Sequence, residues 1–241
     1  MRLLAWNMGH QTREVPISPK LLPALLRLQP DMVLLNEFVD GPSRTSLREG
    51  LFAIGLEFTA VSTRVDRHNQ VFIASRWPLS PGRLHGPDVA GGAGRSNFLH
   101  VLVPGKDFEV VGIRAPMYKT TSETAEYWQK LKPIVQGTRE SSIVWIGDLN
   151  SDPDLPRKRG GATLRELESE GWQIPRPTGP WSFYKGTKID FALISESVEV
   201  RSAEYVIEIG DETLASGDRS TAVSDHAALV VEVSVRHGAA A

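Results

Sequence analysis

The sequence predicts a mixed α/β (α+β) domain built on a mixed sheet core. Three observations carry this: short apolar runs recur along the whole chain, several are apolar at every position, and helical segments with N-terminal signals fall between them. The runs are 3–6, 32–35, 58–62, 71–74, 98–103, 108–113, 143–146, 189–194 and 227–235. A strand that is apolar throughout is buried on both faces, so it needs a covering layer of helix or a second sheet. Closely spaced pairs such as 98–103 and 108–113 read as hairpins, which argues against a purely parallel wound sheet.

Helical segments follow from their caps. Ser18 and Pro19 read as an N-cap and first-turn proline ahead of Leu21, Leu25, Leu26 and Leu28, with Pro23 delaying the start. Thr120 with Glu123, and Thr163 with Glu166, have capping-box spacing ahead of residues 127–135 and 164–167, and Gly171 closes the second segment. Residues 86–94 and 208–219 are rich in glycine and charge and read as long surface loops, which in compact domains often carry function. With no heptad, fixed-period repeat or low-complexity segment, the expectation is one domain over residues 1–237 and a short tail at 238–241.

Composition narrows the chemistry. A chain of 241 residues, 41% hydrophobic and 23% charged, is large enough for one full core. Without cysteine there is no disulfide framework and no thiolate metal site, so a metal would sit on oxygen or imidazole ligands, which favours a hard cation. No secretory signal and no membrane-spanning stretch is visible, so a cytoplasmic protein, monomeric and without a membrane partner, is expected. The net charge of -2 makes no general case for nucleic acid, although a local basic groove can operate on a mildly acidic protein.

The chemistry-bearing residues collect at the ends of apolar strands. One run ends at Asn7, a second at Asn36 and Glu37, and a third at Gly147, Asp148, Leu149 and Asn150. Asp190 opens a fourth, and Ser224, Asp225 and His226 precede the last. Strands lying side by side hold such ends in fixed geometry, so the groups can converge. Singly, each has a plainer reading: Asn36 as a turn hydrogen bond, Glu37 as a solvated strand end, Asp148 and Asn150 as an Asx-turn. Asp190 lies between Ile189 and Phe191 and is costly to bury unless a cation or histidine meets it.

Taken together, Trp6-Asn7, Asn36-Glu37, Gly147-Asp148-Leu149-Asn150, Ile189-Asp190-Phe191 and Ser224-Asp225-His226 resemble the endonuclease/exonuclease/phosphatase superfamily, in its order and over nearly the whole chain. Residues 70–79 (QVFIASRWPL) also look like the family's strand after the first acidic motif. The resemblance implies a four-layered αββα sandwich, two mixed β-sheets packed face to face and flanked by helices. It implies hydrolysis of phosphodiester or phosphomonoester bonds with a divalent cation, magnesium or alternatively manganese.

By the same resemblance Glu37 is the principal metal carboxylate, with Asn7 assisting and Asp225 as a further metal-side ligand or an acid behind the ligands. His226 contacts the scissile phosphate as base or charge stabiliser, with Asp190 fixing its tautomer. Asp148 orients or deprotonates the attacking water, and Asn150 donates to a phosphate oxygen. Whether His226 or Asp148 is the base stays open. Where the family commonly has histidine or tyrosine, segment 110–116 (VVGIRAP) has Arg114, whose guanidinium can take two phosphate oxygens; Tyr118 is the alternative source of a hydroxyl.

For substrate, the leading expectation is nucleic acid, DNA foremost, with a phosphatase or phosphodiesterase on a small or lipid-linked phosphate as the alternative and a silent binding protein third. The short stretch 184–188 before Ile189-Asp190 departs from the long insertion of the family's abasic-site endonucleases and puts that specificity in doubt. Arg157, Lys158 and Arg159 form a basic run near Asn150, and Trp181 is a candidate stacking residue; a solvated loop and a core indole are their plainer readings.

Overall fold

The computed structural model describes residues 1–10 and 12–236, so the predicted tail at 238–241 lies outside the described residues. In chain order the elements are β1 (Arg2–Asn7), α1 (Leu21–Leu28), β2 (Met32–Phe38), α2 (Thr45–Ala53), β3 (Phe58–Val61), β4 (Gln70–Ser75), β5 (Ser80–Pro81), α3 (Ala93–Ser96), β6 (Phe98–Val103), β7 (Phe108–Arg114), α4 (Thr121–Gln136), β8 (Ile143–Asp148), α5 (Gly161–Ser169), β9 (Asp190–Ile194), β10 (Val198–Val206), β11 (Glu208–Ile209), β12 (Glu212–Thr213) and β13 (Ala228–Val235). Among the described residues, no helix is long and apolar enough to cross a membrane.

Two mixed sheets form the middle of the fold. One has the order β10-β13-β1-β2-β4-β3 and the other β5-β6-β7-β8-β9. Side-chain alternation explains why their central strands are apolar at every position. In β1, Leu3 and Ala5 enter the core between the sheets while Leu4 and Trp6 pack under α1 and α2. In β8, Val144 and Ile146 face the same inter-sheet core while Ile143 and Trp145 pack under α4 and α5. Each sheet is thus sandwiched, giving the αββα layering.

Each sheet also contains one parallel pair joined by a helix: β1 and β2 through α1, and β7 and β8 through α4. The remaining main pairings are antiparallel. Consequently the C-terminal ends of β1, β2, β7 and β8 lie at the same edge as the N-terminal ends of β9 and β13. Register fixes the neighbours there: Asn7 is opposite Asn36, Arg114 opposite Asp148, and Asp148 opposite Asp190.

Local signals succeeded where the cap geometry is complete. The Thr120 side chain accepts from the Glu123 amide, so Thr120 caps α4 as expected, while the Glu123 carboxylate meets the Thr120 hydroxyl at 2.6 Å. Gly171, at φ 100, follows α5 with its amide on Glu168 O and the Trp172 amide on Leu167 O, a Schellman closure.

Other signals are corrected. Thr163 and Glu166 lie inside α5, which starts two residues earlier behind Gly160 without a side-chain cap. Ser18 does not cap α1, which starts behind Lys20. Pro23 sits in its first turn, where no intrahelical donor is lost. The predicted loops at 86–94 and 208–219 contain the start of α3 and the small β11-β12 ribbon. Strand β10 and helix α2 escaped notice because both are half-exposed: β10 is an edge strand with a bulge near Arg201, and α2 buries only Leu47 and Leu51.

One glycine closes the contact between the sheets at the functional edge. Gly147 has φ 148, and a Cβ there would come within 2.1 Å of Ile113 O and 2.6 Å of Asn36 Oδ1. Gly147→Ala should cost about 3 kcal/mol or more, through backbone strain plus the clash. Urea unfolding reads this directly; a loss below about 1 kcal/mol would mean that the two sheets do not meet this closely.

Candidate active site

The strand ends surround a cleft of about 760 Å³. Asn7, Glu37, Arg114, Asp148, Asn150, Asp225 and His226 all line it, so four of the five strand-end clusters meet there. Asp190 stands directly behind His226.

Asn36 builds the junction beneath. Its Nδ2 donates to Ile113 O at 3.1 Å and its Oδ1 accepts from the Asp148 amide at 3.1 Å, tying β2 to β7 and β8. The turn expected of Asn36 is therefore an inter-sheet bridge. Next to it, a bulge between Leu35 and Phe38 puts Glu37 at φ 50, which lets β2 turn its carboxylate into the cleft. The buried Arg44 braces the chain behind this point, donating to Val39 O at 2.9 Å and Val15 O at 2.8 Å and lying 3.4 Å from His10 Nδ1. Burial and the Arg44 charge push the His10 imidazole down to about 4, so it stays neutral.

Asp148 is 1% exposed, yet its carboxylate is well supplied with donors. Oδ1 accepts from the Asn150 amide at 2.9 Å, while Oδ2 accepts from Asn7 Nδ2 at 2.9 Å and Asn150 Nδ2 at 3.2 Å. Burial, reinforced by the Asp190 charge, pushes Asp148 up to about 6 against the pull of His226 and Arg114. Asn150, at φ 48, also donates to Ala115 O at 2.8 Å, so its amide is engaged within the protein.

His226 is held on every side. Its backbone amide donates to Ser224 Oγ at 3.1 Å, and its carbonyl accepts from Trp6 Nε1 at 2.8 Å. The Phe183 ring lies 4.9 Å away, centroid to centroid. Nδ1 is 2.9 Å from Asp190 Oδ2, the partner that a carboxylate in an apolar strand requires. Ser182 Oγ in turn accepts the Ile189 and Asp190 amides, at 2.8 and 3.1 Å. Burial works against the imidazolium, but the charge and hydrogen bond of Asp190, with Asp148 and Asp225 behind them, outweigh it and push His226 up to about 9. A hydrogen bond to Asp190 through Nδ1 leaves Nε2 for a ligand.

Two arginines meet the remaining carboxylates. Arg114 Nη2 is 2.7 Å from Glu37 Oε1, and its buried Nε, which has no hydrogen-bond partner, lies 3.6 Å from Asp148 Oδ2. Arg219 Nη2 is 2.7 Å from Asp225 Oδ2 and its Nη1 donates to Gly9 O at 2.6 Å. The side chains of Asn7, Glu37 and Asp225 offer only oxygen acceptors for a cation, which fits a hard ion. Among the described residues no three His, Cys, Asp or Glu stand together as a protein cage.

Tyr118 is not among the cleft-lining residues; it packs against the core under α4 with its hydroxyl buried and unbonded. Trp181 packs against the inter-sheet core, and Phe183, two residues on, is the aromatic in the cleft. The basic run divides: Arg157 is exposed and outside the lining, whereas Lys158 and Arg159 line it, and Arg159 Nη1 donates to Asn150 O at 2.9 Å. Lys185, Lys188 and Arg219 complete a cationic wall that composition did not reveal, since they come from two separate loops. The only local signal for Arg219 was its place at the end of the charged 208–219 segment.

No curated protein matches the sequence with significance. Solved structures match over the whole fold. An endonuclease/exonuclease/phosphatase from Beutenbergia cavernae DSM 12333 superposes with a TM-score of 0.72 at 19% identity, covering 100% of this chain and 72% of that one. An AP endonuclease from Archaeoglobus fulgidus gives 0.68 at 18% identity, with 98% and 100% covered. A 3'-5' exonuclease from Neisseria meningitidis gives 0.66 at 16% identity, with 96% and 99% covered. At these identities the structures establish the shared fold. The sequence profile of the Endonuclease/Exonuclease/phosphatase family matches residues 4–226, from β1 through His226, and the chain therefore belongs to that family, whose members are phosphoester hydrolases.

Proposed function

We propose that this protein is a magnesium-dependent phosphodiesterase that cleaves nucleic acid, DNA foremost. The observation that supports this most is the charge pattern of the cleft. An acidic and imidazole floor is surrounded by Arg114, Lys158, Arg159, Lys185, Lys188 and Arg219, although the chain as a whole carries a net charge of -2. A local concentration of cations on an acidic protein is what a polyanionic substrate requires.

In this reading Glu37 holds the cation, with Asn7 and Asp225 beside it; once bound, the ion draws charge from a phosphoryl oxygen. The protein's own groups do the rest. Asp148, fixed by Asn7 and Asn150, orients the attacking water and takes its proton. His226, aligned by Asp190, presents Nε2 to a phosphoryl oxygen and stabilises the charge that builds there. Arg114, paired with Glu37 through Nη2 and beside Asp148 through Nε, offers its guanidinium to a second oxygen, at the position where the family commonly uses histidine or tyrosine. Asn150 reaches phosphate only by releasing Ala115 O, so its first role is to hold Asp148.

Purified protein should cleave single-stranded DNA, duplex DNA, abasic DNA or RNA with magnesium, and excess chelator should abolish that cleavage. Release of inorganic phosphate without strand cleavage would assign a phosphatase instead, and no metal-dependent turnover on any phosphoester would sink the reading.

Asp190→Asn should leave His226 in place and lower kcat by about 100-fold or more, the usual scale of a lost charge-stabilising contact. Unchanged kcat in a variant with native circular dichroism would remove Asp190 from the mechanism.

Arg114→Lys keeps a cation beside Glu37 but loses the fork. Turnover should fall about tenfold with the melting temperature nearly kept. Wild-type turnover would reduce Arg114 to a structural partner of Glu37.

A further inference from the structure

We propose that Met117, Leu155 and the Arg159 guanidinium form a shelf for an unstacked nucleobase beside the cleaving centre, so that the substrate is single-stranded or locally unpaired nucleic acid. This rests on the phosphodiesterase reading above and specifies its substrate class.

Six large apolar side chains are exposed among the described residues, and two of them, Met117 at 61% and Leu155 at 42%, line this cleft. They come from different loops, after β7 and after β8. The Leu155 loop is not loose: the Leu155 amide donates to Asp152 O at 3.0 Å, the Lys158 amide to Leu155 O at 2.9 Å, and the Gly160 amide to Ser151 Oγ at 3.0 Å. Arg176 Nε holds the Asp154 carboxylate at 3.1 Å to both oxygens. Apolar side chains exposed on the wall of a cleft are ones that a ligand's apolar face can cover.

Arg159, from the same loop as Leu155, reaches across to Met117. Its Nη2 is 3.1 Å from Met117 Sδ, and its Nη1 donates to Asn150 O at 2.9 Å. The guanidinium is thereby fixed next to Met117 on the cleft wall that Leu155 also lines, and a planar cation of this kind stacks on bases. The shelf is one residue removed from the centre, because Asn150 Nδ2 is 3.2 Å from Asp148 Oδ2. Lys158 on the same cleft, with Lys185 and Lys188, supplies charge for neighbouring phosphates. A polyol phosphate has no apolar face to cover Met117 and Leu155, whereas a nucleotide has one beside its phosphate. A base in a duplex already has both faces covered by its neighbours, so the base on this shelf must be out of the stack.

The test uses the full chain with magnesium on a single-stranded DNA oligonucleotide, the same strand with one nucleotide replaced by a tetrahydrofuran abasic analogue, and the same strand annealed to its complement. Products are mapped bond by bond. Wild type should cut a bond next to the analogue about tenfold more slowly than the same bond in the unmodified strand, the scale of one lost base contact. It should also cut the duplex more slowly than the single strand. A Met117→Ser/Leu155→Ser double variant should lose the discrimination between base and analogue; if it fails to fold, Arg159→Lys, which keeps the charge and loses the plane, should reduce it. Equal cutting beside base and analogue, preference for the abasic position, preference for duplex, or full discrimination in a folded variant would each overturn the shelf while leaving the phosphodiesterase reading intact. Absence of cleavage on every strand would instead overturn that reading, and the shelf with it.

Discussion

The structure turns on a polar seam between two apolar sheets. Asn36 reaches out of β2 to the Ile113 carbonyl and the Asp148 amide, and Gly147 is the residue that lets the backbones come near enough. Buried amides and carbonyls must be paired, so an asparagine that satisfies both in one geometry fixes how the sheets meet at this edge. The parallel pairs β1-β2 and β7-β8 then deliver their C-terminal ends to one place. Every candidate site residue inherits its position from that arrangement.

Charge at the seam is balanced locally. Glu37, Asp148, Asp190 and Asp225 would repel one another in so buried a space, and Arg114, Arg219 and His226 stand between them. The price of bringing the acids together shows in Asp148, which burial and Asp190 push well above the usual carboxylate range, and in His226, which its acidic neighbours push the opposite way from burial. Such a network has value only when complete, since removing one member leaves a buried charge without a counter-charge. The same charged groups also make the edge specific in shape.

The cleft walls follow a different logic from its floor. Floor residues sit on strand ends, where register places them to within a hydrogen bond; wall residues sit on the loops after β7, after β8, before β9 and before β13. A rigid scaffold with variable loops separates chemistry from substrate choice. The floor here accords with the family's phosphoester chemistry, and in the proposed reading the exposed apolar and cationic wall is what selects the substrate.

The sequence by itself determined nine of the strands, the capped start of α4, the closure of α5 and the strand-end clusters, because each depends on residues adjacent in the chain: apolar runs, a capping pair, a glycine after a helix. It also marked Asp190 as needing a partner, since a carboxylate in an apolar run carries its desolvation cost wherever it is placed. Helix α2 and strand β10 stayed hidden, as half-exposed elements have no continuous apolar signal. The true role of Asn36, the choice of Phe183 over Trp181 in the cleft, and the gathering of Lys158, Arg159, Lys185, Lys188 and Arg219 were decided only by tertiary structure. These depend on which loops the packed sheets bring to the same edge, and residues far apart in the chain carry no local record of meeting there.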